Sequence, residues 1–144
     1  MNETTVTTPS ELEIRVERVF DAPRAHVFSV LTDPQLIPEW WGDNTVVEEM
    51  DVRPGGKWRF RTGFGVVEGE YREVEAPGRL VQTFQNHLQT LELEDLGDRT
   101  KLTQTMRFAT TEERDATMQY GVEEGAKGGF ARIDALLQRL PLDA

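Results

Sequence analysis

The segment from Thr111 to Arg139 restricts the possible architectures most, because it holds helical periodicity without a single proline. Apolar residues recur at Met118, Val122, Ala126, Phe130, Ile133, Leu136, Leu137 and Leu140, the spacing of one buried helical face. Thr110 with Glu113 makes a capping box, Glu112 and Glu113 complement the N-terminal dipole, and Pro141 closes the run. A single helix of this length runs roughly 40 Å. Yet Gly121, Gly125 and Gly129 fall at intervals of four, and each interior glycine costs roughly 1 kcal/mol relative to alanine. Such a stripe calls for close approach of another backbone, for a kink, or for open space beside the helix. Local weakness without function is the remaining reading.

Upstream the texture has period two. Leu12, Ile14 and Val16 alternate with Glu11, Glu13, Arg15 and Glu17, which predicts a half-buried strand. Continuing that parity turns Arg18 inward, where an unpaired guanidinium is costly, so it should meet a carboxylate, a water-filled space or a polar ligand group. Asp21-Ala22-Pro23 and Asp33-Pro34 read as two helix starts. The first helix buries Val27, Phe28 and Leu31, and the second ends at Trp40-Trp41-Gly42, with one indole expected inward and the other near the surface.

Six further strands are expected, separated by turns at Arg53-Pro54-Gly55-Gly56, Gly63 to Gly65, Ala76-Pro77-Gly78, Asn86-His87 and Gly97-Asp98. Connections this short favour antiparallel neighbours. A sheet with one apolar face must cover it, and the C-terminal helix is the one element able to do so. The expected fold is therefore α+β. A curved antiparallel sheet of about seven strands wraps a long C-terminal helix, with two short helices after the first strand. It forms a single domain over residues 11–144 behind a loose leader of residues 1–10.

Bulky residues share the inner parity: Trp58, Phe60 and Phe64 on one strand, Tyr71 on the next, then Phe84, Met106 and Phe108. Facing them are Met118, Val122 and Gly125, with Trp41 at the rim. Arg18, Gln82, Gln104 and the Tyr71 hydroxyl supply polar groups. Apolar walls with a few polar groups suit a small-molecule cavity. The same pattern also suits a closed core, and both readings stand at this point.

Composition excludes other classes. The net charge of −10 opposes a nucleic-acid backbone or an anionic membrane surface. No cysteine is present, so disulfide and thiolate chemistry are absent. The polar start MNETTVTTPS does not read as a signal peptide, and a cytoplasmic location is expected. His26 and His87 lack metal-ligand spacing, so no metal and no cofactor are expected. Ser10 and Ser29 lack the context of a nucleophile, and Gly55-Gly56-Lys57 leads into a strand rather than a phosphate-binding helix. For acid–base chemistry, Tyr71 and Arg18 can stabilise an enolate, with Glu68, Glu73 or Glu123 as base and Glu73 preferred over Glu68 by parity.

The order of several short runs resembles the START-like (Bet v 1-like) superfamily, whose fold is a helix grip. Within it the chain is most similar to the family named for the C-terminal domain of the activator of the Hsp90 ATPase. The runs are Phe20-Asp21-Ala22-Pro23, Thr32-Asp33-Pro34 with Trp40-Trp41-Gly42, Met50 through Trp58, Gly69 through Val74, Arg79-Leu80, Thr100-Lys101-Leu102, and Glu124-Gly125 followed by Leu136. They cover nearly everything from Ile14 to Leu140. Two departures border the expected cavity mouth: Asp43 stands where relatives commonly have proline, and the connection from Phe84 to Leu91 is short. The resemblance implies a cavity between sheet and helix for a small apolar or aromatic molecule. It also brings two alternatives, a polyketide cyclase-like enzyme and a chaperone-related interaction module. A homodimer is compatible with the sequence, although no residue pattern specifies one.

Overall fold

A computed structural model describes residues 3–42, 44–63, 65–85 and 87–139. The expectations placed on Asp43, Phe64, Asn86, Leu140 and Pro141 lie outside the described residues. One antiparallel sheet of eight strands runs in the order β1-β2-β8-β7-β6-β5-β4-β3. Its strands are β1 (Thr5–Ser10), β2 (Glu13–Phe20), β3 (Val46–Met50), β4 (Lys57–Thr62), β5 (Gly65–Glu75), β6 (Arg79–Phe84), β7 (His87–Asp95) and β8 (Thr100–Arg107). Helices α1 (Arg24–Thr32) and α2 (Ile37–Trp41) follow β2, and α3 (Thr111–Gln119) and α4 (Val122–Arg139) follow β8. The α+β helix-grip architecture thus holds, with three differences from the sequence reading.

The first is an eighth strand. Residues 5–10 are not a loose leader: Thr5, Val6 and Thr7 pair with Glu17, Val16 and Arg15 of β2. Their threonines and valine have β propensity without apolar alternation, which hides the strand from a periodicity argument. Pro9 is tolerated because β1 is an edge.

The second difference is in the C-terminal segment, which is two helices. Gly121 takes φ +88, a conformation that breaks helical continuity and that glycine adopts without steric cost. Thr110 does cap α3, its Oγ1 accepting from the Glu113 backbone N–H at 3.1 Å. With 18 residues, α4 is about 27 Å long. The third concerns the start of α1, where Asp21 is not the cap. Pro23 occupies that position without a side-chain cap bond, and Asp21 instead accepts from Arg99 Nε at 3.0 Å.

The core lies between the concave sheet face and the helices. Ile14, Val16, Phe20, Val27, Val30, Trp58, Leu102, Ile133 and Leu136 are fully buried. Strand register arranges the inner face in rows. Phe84 faces His87. The next row is Tyr71, Gln82, Gln89, Met106 and Ile14. Then come Val74, Leu80, Leu91, Gln104 and Val16, and finally Leu93, Leu102 and Arg18. On β5 a bulge breaks the parity: the register of β5 on β6 shifts between Tyr71 and Glu73. An extra residue there sends Val74 inward and Glu73 outward.

Candidate functional site: a pocket between sheet and helices

A pocket of about 420 Å³ lies over the middle rows, under α4 and beside α2. Three glycines shape its helical side, each for a different physical reason. Gly121 makes the break between α3 and α4. A Cβ placed on Gly125 would meet nothing within 4 Å, so this position opens onto the pocket. A Cβ on Gly129 would lie 3.6 Å from the Trp40 carbonyl oxygen, so here α2 comes close. Arg132 Nε donates to that carbonyl at 2.9 Å, and Arg139 pairs with Glu39 at 3.0 Å. These contacts seat α2 on α4 and place its two indoles.

Both indoles are half-buried and both line the pocket, in contrast to the expected inward-and-outward pair. Trp40 Nε1 donates to the Val30 carbonyl at 3.1 Å. The Trp41 ring stacks on Phe84 at 5.7 Å and meets Phe60 edge-on at 5.2 Å. Trp58 packs 4.9 Å from Phe60, and its Nε1 donates to the Thr83 carbonyl at 3.1 Å. Gly69 makes room for this arrangement, since a Cβ there would collide with Thr83 O and the Trp58 indole nitrogen.

Of the residues expected at a cavity, Trp41, Trp58, Phe60, Tyr71, Gln82, Phe84, Gln104, Met106, Val122 and Gly125 line the pocket. Three others lie elsewhere. Arg18 faces inward as its parity requires, but in the last row, where its guanidinium pairs with Asp134 of α4 at 3.2 Å and donates to Thr4 at 3.1 Å. Phe108 packs against the His87 ring at 4.7 Å instead of lining the pocket. Met118 packs on the core cluster from α3. None of the carboxylates offered as a base turns inward: Glu73 pairs with Arg79, Glu68 with Arg59 and Glu123 with Lys127.

Sequence reasoning missed Trp40, His87, Gln89 and Tyr120, all of which line the pocket. Extending the parity of Leu91 and Leu93 backward along β7 reaches Gln89 and His87, which the turn assignment at Asn86-His87 obscured. His87 stacks on Phe84 at 5.1 Å, and its Nε2 lies 3.2 Å from Gln89 Nε2. Burial lowers the His87 pKa from the ordinary 6.5 to about 4, against the opposing pull of Glu113. Burial, reinforced by the charge of Asp51, pushes the Tyr71 phenol well above its ordinary value. Among the described residues, no group of three or more His, Cys, Asp or Glu is placed to hold a metal.

A curved antiparallel sheet gripping a C-terminal helix, with paired short helices after β2, defines the START-like (Bet v 1-like) class of α+β proteins. Within that class, the chain belongs to the family described as Activator of Hsp90 ATPase homolog 1-like protein, whose sequence model matches residues 21–138. Among solved structures, a Rhodobacter sphaeroides protein is similar at 24% identity and TM-score 0.87, covering 96% of this chain and 100% of that one. Protein Ms6760 from Mycobacterium smegmatis is similar at 22% identity and TM-score 0.85, covering 94% and 98%. CalU16 from Micromonospora echinospora is similar at 23% identity and TM-score 0.68, covering 96% and 90%. No curated protein matches by sequence. These structural likenesses establish the fold.

Proposed function

We propose that the protein binds a small hydrophobic or aromatic molecule in the pocket between the sheet and α4. The observation that carries this reading is the space itself. Gly125 faces about 420 Å³ that no side chain fills, against a wall of aromatic rings. Apolar pocket walls left in contact with water are unfavourable, so a fold that leaves such a space open gains from an apolar molecule that fills it.

Binding is favoured over catalysis by His87 and Tyr71, the titratable side chains held inside the pocket rather than at its exposed rim. A general acid or base works best with a pKa near the operating pH. His87 is displaced downward to about 4 and Tyr71 upward. Neither is poised near neutrality, and the carboxylates are engaged outside. The chaperone-related reading needs a contiguous exposed apolar patch near Trp40 and Trp41, whereas both indoles are half-buried in the pocket wall.

All three tryptophans of the sequence line the pocket, so their emission reports its occupancy. Titration with N-phenyl-1-naphthylamine should quench that emission by energy transfer. Gly125→Leu should reduce uptake at least tenfold while the circular dichroism spectrum is unchanged. Equal uptake by this variant would mean that the probe sits elsewhere and would overturn the proposal.

A further inference from the structure

The pocket floor carries a feature that an apolar binding site does not need. Tyr71, Gln82 and Gln89 stand side by side on β5, β6 and β7 in a single row, about 4.8 Å from strand to strand. His87 flanks this row on one side and Gln104 on the other. The residues beyond are aromatic towards Phe84 and aliphatic towards Leu80 and Leu91, so a polar strip crosses an otherwise apolar floor.

The strip is poorly satisfied from within. Gln82 Nε2 reaches Gln89 Oε1 only at 3.5 Å, and Gln89 Nε2 reaches His87 Nε2 at 3.2 Å. Each carboxamide has two N–H donors and two acceptor lone pairs, so most of this capacity is unused. Gln89 is 9% exposed and is engaged at both ends of its carboxamide, so the unused capacity of the strip is directed at the open pocket. Among the described residues, no hydrogen bond is made by the Gln104 carboxamide or the Tyr71 hydroxyl, and both residues line the pocket. Yet among the described residues no Asp, Glu, Lys or Arg lines it, on a chain in which 29% of residues are charged. A carboxylate, sulfonate or ammonium taken into this space would touch no charged partner among the described lining residues, and burying an unpaired charge is far more costly than burying a neutral polar group.

Shape adds a second restriction. Opposite the strip, Gly125 presents helix backbone without a side chain, and Trp41, Phe60 and Phe84 present ring faces and edges at one end. Flat rings match such surfaces.

We infer that the pocket selects an uncharged, flat molecule carrying carbonyl, hydroxyl or lactam groups along one edge, that this edge lies on the Tyr71–Gln82–Gln89 strip, and that fatty acids and other organic anions are rejected. This rests on the reading of the pocket as a ligand site.

Three naphthalene probes separate the two ideas. N-Phenyl-1-naphthylamine is neutral and nearly devoid of polar edge. 8-Anilinonaphthalene-1-sulfonate is the same skeleton with one negative charge. Prodan is a neutral naphthalene with a ketone whose emission shifts on hydrogen bonding. Measurements in 0.5 M salt screen the net charge of the chain. The sulfonate should bind the wild type at least tenfold more weakly than its neutral parent. The double variant Gln82→Leu/Gln89→Leu should lose Prodan affinity about tenfold, with a blue shift of the bound emission. It should hold the phenylnaphthylamine as tightly as before, which also shows that its pocket is folded. Equal binding of the charged and neutral skeletons would overturn the inference while leaving the ligand site intact, as would an unchanged Prodan-to-phenylnaphthylamine ratio in the variant. Failure of both neutral probes to bind the wild type would remove the ligand site, and this inference with it.

Discussion

At the scale of single residues, the inner face of the sheet was readable wherever strand alternation ran unbroken. Gln82, Phe84, Gln104 and Met106 all stand where parity puts them. Glu73 does not, because the bulge after Tyr71 reverses the alternation and no residue type in Tyr71-Arg72-Glu73 marks a bulge. Gln89 and His87 escape a sequence reading because Asn86-His87 has the character of a turn, whereas β7 already begins at His87. His87 makes its own prediction. In the unfolded chain its imidazole takes up a proton near 6.5, whereas in the folded protein it does so only near 4. The stabilising contribution of the neutral ring is therefore complete above pH 6.5 and is lost progressively as the pH falls towards 4. Urea unfolding between pH 6.5 and 5 should show a decline on the order of 2 kcal/mol across the full window, and His87→Phe should flatten it. A slope unchanged by that substitution would assign the decline to other groups.

At the scale of elements, the C-terminal glycines gave the sequence reading a choice among close approach, kink and open space, and each glycine takes one of the three. Spacing alone could not distribute them, since all share one helical face. Only the φ of Gly121 and the neighbours of Gly125 and Gly129 separate the roles. The distinction has opposite signs in a stability measurement. Gly125→Ala adds a good helix former at an unobstructed helical position and should stabilise by about 1 kcal/mol. Gly121→Ala forces an L side chain into φ +88 and should destabilise by about 1 kcal/mol or more. If 111–139 formed one straight helix, both substitutions would stabilise. Denaturant midpoints of the two variants decide the matter.

At the scale of the whole molecule, most of the helix-grip plan could be read from the order of period-two and period-3.6 segments, because each apolar face needs a cover and few elements can provide one. The N-terminal edge was not legible, since Thr5–Ser10 contribute hydrogen bonds and one valine rather than a hydrophobic pattern. Its removal has a defined outcome. Deleting residues 1–10 strips β1 from β2, deprives Arg18 of its bond to Thr4 and exposes a new sheet edge. The melting temperature should fall by several degrees, with more aggregation on heating. Unaltered melting would restore the description of this stretch as a leader.

The joint at Gly121 also divides the C-terminal segment by how firmly each part is held. Helix α3 buries none of its residues, whereas α4 buries Gly129, Phe130, Ile133, Leu136 and Leu137. Unfastening α3 therefore leaves the main hydrophobic contacts in place, so its amide protons should trade with deuterium well before those of α4. Thr117 of this loosely fastened helix borders the pocket. A transient loss of α3 would uncover one side of the pocket while the grip of the sheet on α4 persists.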